Sequence, residues 1–346
     1  MSALWPGIES LRDRINEIVR ANVPAGPVAL LEAPTFWSVG DNAIWTVEQQ
    51  MASEFGWDVR YAATTKTFDA DRLARVLPPG GTIVFAAGGS LGDVWPRPQQ
   101  IREAVCRRFT DRRIVVLTQG MHFRDERNLE HAAGAFAEHP DLTLLVRDHW
   151  SETAATAAFP KSKVVLTPDL VLRLGPLERT GTPTTDIQLL VRRDIESKWP
   201  EGFPHNESWP PGIDWPDASR YDDAWRRSEA RYRWFVRLRN RLPKLAGMVT
   251  TGEMRVVSQL AEARFAAGVA MLSTARVVVT DRLHAHVLCL LLDIPHVVLD
   301  NNYGKLTALL ETWTGASPLV HRASQPDEAM GIAERLVSSS GARLGS

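Results

Sequence analysis

The sequence predicts an α/β protein of two doubly wound, Rossmann-like units that face each other across a cleft. Short β-branched runs, apolar on both faces, recur along the chain, and each is followed by a helical pattern. That rhythm belongs to a parallel sheet covered on both sides. It breaks once, in a Gly-, Pro- and Thr-rich stretch at 174–185, and then resumes. A chain of 346 residues also exceeds one ordinary core and suits two units of about 170 residues each.

The elements follow in order. Ile8, Leu11, Ile15, Ile18 and Val19 are spaced for one face of an opening helix. Strands are expected at 28–31, 59–62, 82–85, 114–117, 142–146 and 164–166, with helices near 41–55, 69–76, 97–110, 125–138 and 149–158 between them. After the break come strands at 187–191, 248–250, 277–279 and 296–299. Helices near 220–244, 253–272, 283–292, 303–315 and 326–339 accompany them. The expected division is an N-terminal unit over 1–175, a linker over 176–185 and a C-terminal unit over 186–346. One stretch fits neither period: residues 199–216 carry Trp199, Trp209 and Trp215 among five prolines, which disfavour helix and strand alike. It is expected as an ordered loop at the mouth of the cleft. The helix after it places Arg226, Arg233, Arg237, Arg241 and Lys244 on one face.

Composition narrows the function. The net charge of -1 gives no global reason for nucleic-acid binding, so any anion recognition must be local. Two cysteines, Cys106 and Cys289, make no disulfide framework and no C-x-x-C pair, and read as buried thiols of a reducing compartment. No basic segment followed by an apolar one opens the chain, and no apolar run could span a bilayer. The expectation is a cytoplasmic protein.

In open parallel sheets ligands bind beyond the carboxyl ends of the strands, where helix N-termini suit anions. The residues just after each strand are therefore the candidates. After the first lies Ser38-Val39-Gly40-Asp41-Asn42, where Gly40 admits close backbone approach and Asp41 could cap a helix or accept a proton. After the third lies the glycine-rich run Gly88-Gly89-Ser90, a phosphate nest or merely a tight turn, and not a dinucleotide fingerprint. Gln119 follows the fourth strand, and Arg147 with Ser151 the fifth. Pro168-Asp169 closes the series and could serve the turn alone. His122 and His149 sit at the same edge and read as ordinary hydrogen-bonded histidines.

The sharpest feature is Asp281-Arg282-Leu283-His284 before an apolar helix, a fixed cation beside a titratable group. Arg192-Arg193 ends the strand at 187–191, and Asn302 and Lys305 follow the one at 296–299. A surface pairing of Arg282 with Asp281 is the bland alternative. Three basic clusters at one rim read more economically as an anion pocket.

These residues resemble the polysaccharide pyruvyltransferase family. The resemblance rests on Gly40-Asp41, Gly88-Gly89, Gln119-Gly120, Arg147-Asp148 with Ser151, Pro168-Asp169, Arg192, Arg282-Leu283-His284 and Lys305, in the family's order from about residue 30 to residue 310. The Asp-Arg-Leu-His block followed by an apolar helix, Ile294-Pro295 and a late lysine is its most specific part. The resemblance implies a fold like that of two-domain, GT-B-like glycosyltransferases, phosphoenolpyruvate as donor, and a pyruvate ketal on a sugar as product. It assigns donor binding and catalysis to Arg282 and His284, with a further arginine that falls on Arg192 or Arg193. Where many members carry three glycines this chain has Gly88-Gly89-Ser90, and the Trp/Pro stretch at 199–216 departs from the family pattern.

The mechanism that follows needs no redox cofactor, and no ligand cluster implies a metal. Arg282, Arg192 and Lys305 would hold the donor's carboxylate and phosphate, His284 would protonate its methylene carbon, and Asp41 is the candidate base for a sugar hydroxyl. The acceptor is a nucleotide sugar, a lipid-linked glycan or a free glycan. The basic helix and the tryptophan loop would suit a glycan or peripheral contact with an anionic membrane face. The main rival is a nucleotide-sugar-dependent glycosyltransferase of the same architecture. A solute-binding protein also pairs two α/β units, and fold alone does not separate the three.

Overall fold

The computed structural model describes residues 7–204, 206–241 and 246–341. Helix α1 (Gly7–Asn22) buries Ile8, Leu11, Ile15 and Val19 along one face, as its spacing requires. The first sheet then forms from β1 (Gly26–Leu31), β2 (Trp57–Ala63), β3 (Thr82–Phe85), β4 (Gly88–Gly92), β5 (Arg113–His122), β6 (Leu142–Val146) and β7 (Lys163–Leu166). The strands are parallel and lie in the order β2-β1-β3-β5-β6-β7, with β4 paired to the far end of β5. Helices α2 (Val39–Glu54), α3 (Ala70–Val76), α4 (Pro96–Arg108), α5 (Glu126–Ala137) and α6 (His149–Ala158) supply the crossovers. Ser38, Asp69, Asp125 and Asp148 cap the N-termini of α2, α3, α5 and α6 with side-chain oxygens.

A 3-10 turn at Leu170–Leu174 and an irregular stretch lead to the second sheet. Arg179 ties that stretch down by donating to the carbonyls of Ala275, Leu292 and Asp293. Strands β8 (Thr185–Leu190), β9 (Ala275–Thr280), β10 (His296–Val298) and β11 (Val320–Arg322) are parallel and lie in sequential order. Helices α7 (Asp223–Arg241), α8 (Ala246–Ser273), α9 (Leu283–Leu291), α10 (Lys305–Leu309) and α11 (Pro326–Gly341) belong to this half. The order does not reverse, so this sheet is wound in one direction and not doubly. Right-handed crossovers then place α8, α9 and α10 on one face, and α11 covers the other.

Three further differences separate the fold from the sequence reading. Residues 248–250, expected as a strand, lie inside α8. Three β-branched or flexible residues are too few to override a long helix whose Val257, Leu260 and Ala261 are buried. Strands β4 and β11 were not expected; β4 is mostly glycine and β11 only three residues long. The expected helix at 220–244 is observed to Arg241, and Lys244 lies outside the described residues. One apolar cluster runs from Leu30, Val84 and Val115 of the first sheet through Trp45 and Leu283 to Leu190, Val278 and Val298 of the second. Among the described residues no helix is long and apolar enough to cross a membrane. Cys106 and Cys289 are buried and free, and burial pushes the Cys106 thiol up to about 12.

The second half is locked by two fully buried histidines. His296 Nδ1 lies 2.8 Å from the Ile294 carbonyl, which can only accept, so that nitrogen carries the hydrogen. Its Nε2 therefore accepts from His286 Nδ1 at 2.7 Å, and His286 Nε2 accepts from the Thr314 hydroxyl at 2.8 Å. Burial holds His286 well below its ordinary value and His296 at about 4. A depressed histidine contributes stability above its unfolded pKa near 6.5, and that contribution is lost as the pH falls toward the folded value. Nitrogen-15 NMR spectra at pH 5.5 should therefore show both rings neutral with hydrogen on Nδ1. An imidazolium signal from either would contradict this network.

Candidate functional site

Strand order in the first sheet reverses at β1, and the loops after β1 and β3 flank the crevice this creates, the usual ligand position in such sheets. The chain bends sharply there: Glu32, immediately after β1, holds φ at +72°. These loops and the corresponding edge of the second sheet enclose a cavity of about 670 Å³. Glu32 to Pro34, Phe36 to Ser38, Asp41, Ala86, Ala87, Gly89, Ser90 and Arg147 line it from the first half. Arg192 to Asp194, Glu196, Asp214 to Pro216, Arg282 to His284 and Lys305 line it from the second.

Ten of the candidate residues meet on this one cavity: Asp41, Gly89, Ser90, Arg147, Arg192, Arg193, Arg282, Leu283, His284 and Lys305. The other five lie behind or beside it. Gly40 is the floor against which His284 packs; a Cβ there would fall 2.0 Å from His284 Nδ1. Gly88 adjoins Asp41. Gln119 is fully buried and holds the glycine loop from beneath, donating to Ala86 O at 2.7 Å and accepting from Ser90 N at 2.8 Å. Ser151 accepts from Met121 N at 2.9 Å, and Asn302 joins its own exposed loop to Ile195 O. His122 is stacked on Tyr303 and His149 pairs with Glu152 on the surface.

The basic rim is not the bare cluster of cations that the sequence suggested. Arg282 is buried and pairs with Asp214 and, at 3.2 Å, with Asp194; its neighbour Asp281 instead accepts from the Arg192 backbone. Arg192 grips Asp194 at 3.0 Å and Glu196 at 2.9 Å, and Lys305 reaches the same Glu196 oxygen at 2.9 Å. Burial would raise the Glu196 carboxyl, but Lys305 and Arg192 outweigh it and hold the group well below the ordinary carboxylate range. Three cations are thus balanced by three carboxylates, of which Glu196 and Asp214 had given no sequence signal. Buried cations need such partners, and only the fold brings them there. Arg193, by contrast, is mostly exposed and pairs with Asp217.

Arg147 differs from the rest. It is 1% exposed, meets Gly88 O at 3.3 Å and Asp169 at 3.4 Å through Nη1, and has the Asp148 carboxylate 4.0 Å from Nε, yet Nε and Nη2 make no hydrogen bond among the described residues. His284 Nε2 lies 3.5 Å from the same Asp169 oxygen and is likewise without a hydrogen-bond partner. Burial would raise the Asp169 carboxyl, but His284, Arg147 and the Val171 N–H hold it well below the ordinary range. Asp169 is the residue that organises this pair, and its position after β7 had been the available signal.

A second acidic layer lies under the glycine loop. Arg102, fully buried on α4, pairs with Glu32 and donates to both the carbonyl and the hydroxyl of Ser90 at 2.8 Å. Glu48, also fully buried, accepts from Ala87 N at 2.9 Å. Burial pushes its carboxyl up to about 8; the Ala87 hydrogen bond opposes this, while Glu32 and Asp41 add to it. A raised carboxyl contributes full stability below its unfolded pKa and loses it as the pH climbs toward 8. Glu48→Gln should therefore raise stability by about 2–3 kcal/mol at pH 8 and leave it unchanged at pH 4. Urea unfolding at the two pH values checks this, and equal midpoints at pH 8 would contradict it.

A family model described as polysaccharide pyruvyl transferase matches residues 39–303, which carry nearly every residue placed above. Pyruvyl transferase 1 of Schizosaccharomyces pombe is 32% identical over 302 residues, spanning 83% of this chain and 69% of that protein. The protein EpsO of Bacillus subtilis is 27% identical over 322 residues, spanning 92% of this chain and 96% of its own length. A crystal structure of a Klebsiella pneumoniae protein superposes with a TM-score of 0.54 at 12% identity, over 92% of this chain and 100% of that one, a likeness of α/β fold alone. The match across the cavity-bearing residues, together with the first of these relatives, shows that the chain belongs to the polysaccharide pyruvyl transferase family.

Proposed function

We propose that the protein transfers the pyruvyl group of phosphoenolpyruvate to two hydroxyls of one sugar, forming a pyruvate ketal on a glycan or glycan precursor. The observation that carries the reading is Arg147: a buried guanidinium with two unsatisfied nitrogens, on a cavity it shares with His284. Such donors are costly to leave unpaired, and a carboxylate or phosphate would satisfy them. The balanced network of Arg192, Arg282 and Lys305 would then orient the anion by its outward donors, adding direction more than net charge. The two parallel sheets flanking this cavity are consistent with a GT-B-like arrangement.

In the proposed reaction the methylene carbon takes a proton and becomes the methyl group, leaving carbon two electron-poor. Asp169, held as a carboxylate, anchors the Nε2 side of His284, and Nδ1 beside Gly40 would deliver that proton. One sugar hydroxyl adds to carbon two, phosphate departs, and the second hydroxyl closes the ketal. Of the two hydroxyl protons, one balances the methyl group and the other leaves with phosphate. Asp41, which lines the cavity and whose carboxylate accepts no hydrogen bond among the described residues, would take the first. The reaction as written balances without a redox cofactor.

Phosphoenolpyruvate is a product of central metabolism, so the proposed reaction is cytoplasmic. The outer face of α7 presents Trp234, 56% exposed, among the exposed Arg227, Arg231 and Arg237, which would suit peripheral contact with an anionic membrane face.

Calorimetric titration tests the donor. Phosphoenolpyruvate should bind the wild-type protein saturably. Arg147→Lys, which keeps the charge opposite Asp169 but loses the fork, should bind it about 10-fold or more weakly. A nucleotide sugar that binds tightly, with no response to phosphoenolpyruvate, would point instead to a glycosyltransferase.

A further inference from the structure

The cavity has two unlike walls. Its charged wall suits a small anion, but about 670 Å³ is the size of pocket that encloses a much larger ligand. The remainder is lined by Phe36, Trp37 and Trp95 with prolines beside them. The aromatic residues of the Trp/Pro stretch do not furnish this wall as a group. Trp199 and Trp209 pack onto the second sheet, and only Trp215, 1% exposed, reaches the cavity.

Phe36 and Trp37 are large and apolar, yet 55% and 47% exposed. Their backbone, however, is held from below. Arg264, fully buried on α8, donates through Nη1 to Phe36 O at 2.8 Å and pairs through Nη2 with Glu229 of α7 at 2.6 Å. Its guanidinium lies 5.6 Å from the Trp225 ring, which in turn meets Trp37 edge-on at 6.5 Å and 78°. Asn42, fully buried, donates to the carbonyls of Phe36 and Ser38. A buried arginine, a buried asparagine and a tryptophan thus fix an exposed indole. An ordered apolar ring at a cavity mouth has already met the ordering cost that binding would otherwise impose.

From this we infer that Trp37, with Phe36 beside it, is the platform on which the acceptor sugar stacks. A pyranose ring carries its polar hydroxyls at the rim and C–H bonds on its faces, and those faces complement an aromatic ring as apolar surface and through the ring's negative face. Trp37, Asp41 and His284 line the same cavity, so a sugar lying on the indole shares it with the candidate base and with His284. Arg264 and Glu229 are positioning residues: they act on the sugar only by holding the loop. The inference rests on the pyruvyl-transfer reading for the identity of the acceptor.

Saturation-transfer NMR tests it, with methyl β-hexopyranosides of the galacto, gluco and manno series as probes and phosphoenolpyruvate present. In the wild-type protein the C–H protons of one sugar face should receive the strongest transfer. Trp37→Ala should weaken sugar binding about 10-fold and abolish the facial pattern, while Trp37→Phe keeps the pattern at reduced strength. Calorimetry on the same variants should find phosphoenolpyruvate affinity unchanged. A facial pattern that survives in Trp37→Ala, or no transfer to any probe in the wild-type protein, would overturn the platform. Failure of the wild-type protein to bind phosphoenolpyruvate would instead overturn the donor assignment, whatever the sugar result.

Discussion

The site depends on one buried carboxylate. Asp169 stands at the end of β7 and caps the 3-10 turn after it through Val171 N at 3.0 Å. From there it reaches Arg147 of the first half and His284 of the second. Burial alone would raise so buried a carboxyl, and His284 and Arg147 beside it reverse that. In return it keeps a buried arginine and a histidine at one wall of the cavity without satisfying all their donors. Removing it would leave Arg147 only the looser Asp148 carboxylate, 4.0 Å from its Nε, and breaking one side of a buried pair is costly.

Around that centre, positive charge is rationed. Asp194, Glu196 and Asp214 neutralise the three cations that look freest in the sequence, and the Arg282–Asp214 and Lys305–Glu196 bridges also tie one loop to another. Lys305 reaches across to the glycine loop, where a Cβ on Gly89 would sit 2.7 Å from its Nζ. Trp95 of the first half donates to Glu196 of the second at 3.1 Å. Binding of an anion here would exchange partners within a prebuilt network, which costs less reorganisation than collecting mobile side chains.

The acidic layer beneath the loop and the aromatic wall above it share a logic. Glu32 and Glu48 are buried because the glycine loop needs anchors on Arg102 and the Ala87 N–H, and the helix that provides Glu48 also presents Asp41. The α7–α8 pair holds the Phe36–Trp37 loop through Arg264, and among the described residues its cations make no bridge to the charged wall. The charged and aromatic walls thus share α2, and α7 and α8 brace the aromatic one in addition.

The sequence by itself determined the alternation of strand and helix, most element positions and the edge at which ligands should bind, because these follow from local periodicity and from residues adjacent in the chain. The Arg282-Leu283-His284 block was legible for the same reason: its chemistry lies within one helix turn. Tertiary structure alone decided which cations are paired, since Arg282 finds Asp214 across 68 positions and Lys305 finds Glu196 across 109. It also decided that residues 248–250 continue a helix, that the second sheet winds one way, and that Trp37 and not the Trp/Pro stretch supplies the exposed ring. Each of those outcomes depends on burial against partners remote in sequence, and a periodic pattern holds no record of them.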